Sequence, residues 1–201
     1  ETSEAIFVFS GGGRDLVEVG DVVTASGRVG EFQGQTQLSA SDVTVCGRGS
    51  VLPVDVYLPA PSSEYLERYE GMLVRFPQTL HVTESFQLGR FGQVVLSVDG
   101  RLPQPTAVAV PGPASAAVEA ANALASIVLD DASNSQNPAV IHFGGGGEPL
   151  SASNTLRGGD SVTGVVGVLT YTWAGNAASG NTWRVRPLEA LGGVRAVSPI
   201  S

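Results

Sequence analysis

Lysine is absent, and every one of the eleven basic residues is arginine. The two cations differ physically where forked or stacked contacts matter, and a composition bias of the source genome is the simpler account of the imbalance. Nineteen acidic residues leave a net charge of -8, which repels polyphosphate at long range and argues against a free-standing electrostatic DNA binder. Any nucleic-acid contact then has to come from a local patch of arginine and aromatic side chains. Cysteine is nearly missing too: Cys46 stands alone, which excludes an internal disulfide and a cysteine metal cluster without fixing the compartment. No apolar run is long enough to span a bilayer. The two histidines, His81 and His142, have no carboxylate or histidine at metal-site spacing and read as ordinary strand residues. No G-x-S-x-G, P-loop, H-E-x-x-H or deaminase signature occurs. Gly144–Gly147 lacks the lysine and hydroxyl of a phosphate loop and reads as a tether. With no initiator methionine and no recognisable signal peptide, the opening Glu1–Phe9 reads as the inside of a domain, so a processed or excised fragment is expected.

Hydrophobic residues make up 42% of the chain and charged residues 15%, while 26 glycines and 12 prolines punctuate many short apolar runs. That combination predicts an all-β chain with long loops. The most informative stretch is Tyr65–Ser97. Met72, Val74 and Phe76 alternate with Leu73 and Arg75, and Leu80 and Val82 resume the alternation beyond Pro77. Pro77 has no amide hydrogen, so this reads as one strand with a bulge or bend, as at the start of an OB-fold. Gly89–Gly92 predicts a turn, and Val94, Leu96 and Val98 a returning strand. Ser62 or Ser63 caps a short helix through Tyr65 and Tyr69. Downstream, Asp99–Pro113 reads as an extended loop, Ala114–Ala125 as a helix, and Ser126–Leu129, Val162–Tyr171 and Thr182–Arg186 as strands.

Upstream, Ile6–Phe9, Val17–Val29, Thr36–Leu38 and Val43–Val45 read as strands of a smaller unit turned at Gly34. The predicted organisation is a partial OB-fold over 1–48 lacking its opening strands, and a connector with a short helix over 49–70. A complete OB-fold over 71–198 follows, with an inserted loop and helix near 99–125. An internal echo, Gly20-Asp21-x-Val23-Thr24 and Gly159-Asp160-x-Val162-Thr163, enters a long strand in each half, with the aspartate placed to bond local amides.

The segments Tyr65–Glu84 (YLERYEGMLVRFPQTLHVTE) and Phe86–Ser97 (FQLGRFGQVVLS) resemble a region of large secreted bacterial nucleases, the ExeM/YhcR-like extracellular nucleases. So do Glu4–Phe9, Val19–Leu38, Asp99–Thr106, Ile127–Pro138 and Asn154–Tyr171. In that family an OB-fold region precedes a nuclease domain of the endonuclease/exonuclease/phosphatase superfamily. The resemblance implies a secreted, extracellular or envelope-associated protein that hydrolyses DNA or RNA, with a divalent metal (Mg2+, Mn2+ or Ca2+) in the nuclease domain. It places that domain downstream of Ser201, so no catalytic residue maps onto this chain, which is expected to assist substrate binding or to brace its catalytic neighbour.

Candidate contacts to single-stranded nucleic acid are Arg75, Arg90, Phe91, Trp173, Arg184 and Arg186, because stacking platforms beside arginines suit an OB-fold face. Trp183 alternates with the last two arginines and reads as core. Asp130, Asp131 and Asn134 gather oxygen donors on one loop and are the candidate ligands for Ca2+, although the spacing is not that of an EF-hand. The competing reading is a strand-ending turn. Glu70 and Glu84, at opposite ends of the central strand, read as solvated. A second reading of the whole is a structural module docking onto a cell-envelope or surface protein through the open edge of the first sheet.

Overall fold

The structure is a computed structural model, and it describes residues 3–11, 17–143, 148–173, 175 and 179–187. The predicted tether Gly144–Gly147 and the end of the region drawn to residue 198 lie outside the described residues. Strands dominate, and the all-β expectation holds: among the described residues the helices are few and short.

The central strand is β5 (Leu73–Glu84). Its alternation buries Val74, Phe76, Leu80 and Val82 completely. Phe76 faces Val165 of β8 (Ser161–Thr172), but Thr79 faces Thr163, so β5 carries one extra residue at Pro77–Gln78. This is the bulge expected where a proline cannot donate. The side chain of Gln78 uses the gap: its Nε2 donates to the Leu58 carbonyl at 2.6 Å and its Oε1 accepts the Leu58 amide at 2.8 Å. That exchange extends the pairing of β4 (Val54–Asp55), which lies parallel to the start of β5.

The bend lets β5 serve two neighbours. Leu73–His81 pair with β8, and His81–Glu84 pair with β6 (Gln93–Ser97). β6 pairs with β7 (Ser126–Asp130), β7 lies parallel to β9 (Thr182–Pro187), and β9 returns antiparallel to β8. The hydrogen-bonded sequence β5-β6-β7-β9-β8-β5 therefore closes on itself. Val94, Leu96, Ile127, Leu129, Val162, Val165, Leu169 and Val185 fill the space enclosed with the β5 residues.

Between β5 and β6 the predicted turn at Gly89–Gly92 is one turn of helix, α1 (Leu88–Phe91). It ends on Gly92, whose φ of 64° lies in the left-handed region that glycine tolerates. Within the predicted extended loop, Pro105–Val108 forms a further helical turn, α2, because Pro105 sits at the first position where a missing amide costs nothing. The alanine-rich helix is α3 (Pro113–Leu124), with Leu124 and the following Ala125 packed on the core and Ala121 exposed. The Ala60 amide bonds the Leu124 carbonyl and ties the connector to this end of the helix.

The upstream residues form a separate three-stranded sheet in the order β1-β3-β2. β2 (Asp21–Phe32) and β3 (Gln35–Arg48) make a hairpin through Gln33-Gly34, both with positive φ, as a two-residue type I′ turn requires. The expected break between Thr36–Leu38 and Val43–Val45 is absent: β3 is continuous, and Ser41 is absorbed as a bulge with its hydroxyl on the Ser26 carbonyl at 3.1 Å. Gly27 faces this bulge, where a Cβ would strike the Ser39 carbonyl oxygen. β1 (Phe7–Phe9) runs parallel to β3. No described residue from 3 to 55 is fully buried, and Phe7, Phe9, Val29 and Phe32 are exposed. Among the described residues this sheet is open, with no strand on the outer edge of β2.

The internal echo has a structural counterpart. Asp21 Oδ2 accepts the Glu18 amide at 2.8 Å and Asp160 Oδ2 accepts the Arg157 amide at 2.7 Å, each beside a glycine of positive φ. No helix among the described residues is long and apolar enough to cross a membrane.

Glu70 departs from its expected solvated position. It follows the 3-10 turn Tyr65–Tyr69 and is only 8% exposed. Burial pushes its carboxyl up to about 7, with Glu67 and then Glu31 adding to the rise and the Tyr171 amide opposing it. Ionising it therefore costs the folded state: the stability present below the ordinary value of 4.5 is lost as pH rises through about 7. Glu70→Gln removes this dependence. In urea titrations the variant's advantage over the parent should grow between pH 4.5 and 7 and level off at roughly 1–3 kcal/mol.

Candidate nucleic-acid interface

Outside the closed circuit, the outward residues of β6, β7 and β9 form one face. Val95 pairs with Val128, which pairs with Arg184, and Gln93 pairs with Asp130 one step along. The β5–β6 connection rises on one side of this face and the β8–β9 connection on the other. Together they bound a cleft of about 170 Å³ lined by Glu84, Phe86, Gln93, Val128, Thr182 and Arg184. Two wider grooves continue it across the same strands. One runs toward Arg101 and Glu119, the other toward Tyr171, Asn181 and Trp183.

Arg184 is fully buried in the floor, although strand alternation points it outward. All three of its nitrogens are occupied. Nη1 donates to Asp130 Oδ2 at 2.5 Å, while Nε and Nη2 donate to the Thr172 carbonyl at 3.1 and 2.8 Å. Burial pulls the guanidinium below its ordinary value, and the charge and hydrogen bond of Asp130 oppose that. Arg186 Nε lies 3.4 Å from Asp130 Oδ1, which also accepts the Ala132 amide at 2.7 Å. Residues expected separately as nucleic-acid contacts and as metal ligands thus meet and neutralise one another.

The other candidates are scattered. Arg75 is forked onto Asp55, Nε to Oδ1 at 2.6 Å and Nη2 to Oδ2 at 2.9 Å, on β5 beside β4 and away from the cleft strands. Phe91 is 5% exposed and packs against Gly175, so its ring is covered. Arg90 is exposed over that ring, 5.3 Å from its centroid, with Nη2 3.3 Å from Gln136 Oε1. Trp173 is half-buried just after β8. Trp183 packs on the core, as expected, with its ring 4.9 Å from that of Tyr171.

The loop that offers oxygen donors is a hydrogen-bonded turn. Asp131 Oδ1 accepts the Ser133 amide at 2.9 Å, and burial pushes its carboxyl up against the pull of that amide. Asp130 is spent on Arg184, Arg186 and Ala132, while Asn134 is exposed. Among the described residues no three His, Cys, Asp or Glu side chains are grouped to hold a metal ion.

Phe86 escaped the sequence reading. It is 82% exposed on the rim of the cleft, with its ring free to meet a planar partner. Its signal is a large aromatic residue immediately beyond the end of a strand alternation, where the core no longer asks for one. Gln93 is a second: it is buried in the floor and its Nε2 has no partner. No protein-family model, no curated protein and no solved structure matches this chain.

Asp130→Ala leaves the Arg184 charge buried and unpaired, and should cost about 3–5 kcal/mol in urea unfolding. The double replacement Asp130→Leu with Arg184→Met should recover part of that loss, because it removes the buried unpaired charge while leaving the Ala132 amide and the Thr172 carbonyl without their partners.

Proposed function

We propose that this chain is a non-catalytic OB-fold region of a secreted nuclease, and that it holds single-stranded nucleic acid beside a downstream, metal-dependent catalytic domain. One observation carries the reading. The cleft lies over β6, β7 and β9 between the two connecting loops, where OB-folds take oligonucleotides, and an exposed aromatic ring stands at its rim. The resemblance of the segments from Glu4 to Tyr171 to the extracellular nucleases supplies the enzymatic context. Binding here is by stacking rather than by charge. Arg101 shares its groove with Glu84 and Glu119, and the chain carries a net charge of -8, so there is little positive field to draw in phosphate.

A second reading draws on the open sheet. The free edge of β2 and the exposed Phe7, Phe9, Val29 and Phe32 suit a module that docks on a cell-envelope or surface protein.

Fluorescence anisotropy with a labelled oligo-dT strand at low salt decides between them. The expected result is saturable binding that Phe86→Ala weakens by roughly 5- to 100-fold, the worth of one stacked base. Arg90→Ala should reduce the salt slope by about one, and Arg75→Ala should change nothing. The purified chain should leave DNA intact. Absence of binding, together with cosedimentation on envelope fragments that Val29→Asp abolishes, would put the docking reading in its place.

A further inference from the structure

A second cavity lies where the open sheet meets the closed circuit. It measures about 860 Å³, within the range of small-molecule sites. The seam is built by the Ser3 hydroxyl on the Glu70 carbonyl at 2.5 Å, by Ala5 against Gly71, and by the Asn181 side-chain amide on the Gln33 carbonyl.

Four glutamates line this cavity: Glu4 from the N-terminal segment, Glu64 and Glu67 from the 3-10 turn and its approach, and Glu70 behind them. Among the described residues of the wall, Arg68 supplies the positive charge, and its guanidinium lies over the Tyr69 ring at 5.5 Å. Acidic residues alone would mean only a solvated rim. Glu70 is different: it is more than nine-tenths buried, it lines the wall, and its Oε1 has no hydrogen-bond partner. A buried acceptor without a donor is a standing cost of desolvation that a bound donor would remove. The rings of Phe7 and Tyr65 also border the space, and aromatic faces attract organic cations. A metal ion is the wrong size of guest. The carboxylates are spread around a wide cavity, and no group of three among the described residues could converge on one ion.

The geometry points to a site for an organic cation, an alkylammonium or guanidinium head, that enters between the open sheet and the 3-10 turn and takes Glu70 as its counter-ion. Such a head belongs equally to a free polyamine and to a lysine or arginine side chain, and the probes separate the two sources.

The experiment is isothermal titration of the chain at pH 7 with putrescine, spermidine, Nα-acetyl-lysine amide and Nα-acetyl-arginine amide, with MgCl2 as a control. At least one organic cation should bind saturably, with Mg2+ at the same ionic strength failing to displace it. Preference for the amines or for the amino-acid amides identifies the source. Glu70 sits among Glu67, Glu31, Glu4, Glu64 and Arg68 and is part-protonated near neutrality, so binding should expel protons. The heat should then differ between phosphate and Tris buffers. Glu70→Gln, which keeps shape and fold, should lose at least tenfold in affinity together with this buffer dependence. Glu67→Gln, on the exposed side of the turn, should lose less than threefold. No saturable binding of any probe, equal displacement by Mg2+, or unchanged affinity in Glu70→Gln would each overturn the site. None of these probes carries a nucleobase, so no outcome bears on oligonucleotide binding over β6, β7 and β9, and the two readings stand or fall separately.

Discussion

Everything in the larger part of this molecule depends on β5 pairing with both β8 and β6. A straight strand of that length would pair along its whole edge with one neighbour and leave the sheet open. The extra residue at Pro77–Gln78 turns the strand, so its first part is held by β8 and its end by β6. The circuit then closes, and Val74 and Phe76 are brought into the same interior as Leu80 and Val82. A strand bend normally exposes backbone groups that water or a side chain must satisfy. Here Gln78 does so with both ends of its amide on Leu58, which holds the connector against the bend.

The same economy shapes the outer face. Arg184 stands where an outward strand residue should meet solvent, yet Asp130 and the Thr172 carbonyl enclose it. A charge so enclosed is held by its neighbours and shut off from solvent. It helps to fix the floor of the cleft, and Phe86 stands exposed at the rim. The chain's net charge of -8 and the withdrawal of this arginine leave little on this face to attract a phosphate backbone.

Much of this was legible in the sequence for local reasons. The alternation around Pro77, the alanine-rich helix and the repeated Gly-Asp turn are written in neighbouring residues, and the structure has all three in place. The continuity of β3 was not, because Ser39–Asp42 has the composition of a loop and only its pairing with β2 keeps it extended. The burial of Arg184 was equally hidden: alternation tells which face a residue is on, not what lies over that face, and Asp130 is 54 residues away. Glu70 depends on Ser3 and Ala5 arriving from the other end of the described chain. Phe86 was passed over because it belongs to no periodic pattern, which is also why it is exposed.

The two sheets also differ in when they can form. The β2–β3 hairpin closes through two residues already suited to their turn, an event of microseconds. The circuit cannot close until Leu73 finds Val168, across a long and unfavourable loop. The part without a buried core is therefore assembled first, while the part that has one waits for most of the chain to be made. During synthesis the early hairpin displays Phe32 and Val29 with nothing yet to shield them. The single bulges at Ser41 and Cys46, which twist and interrupt its register, are what then discourage one nascent chain from adding to the edge of another.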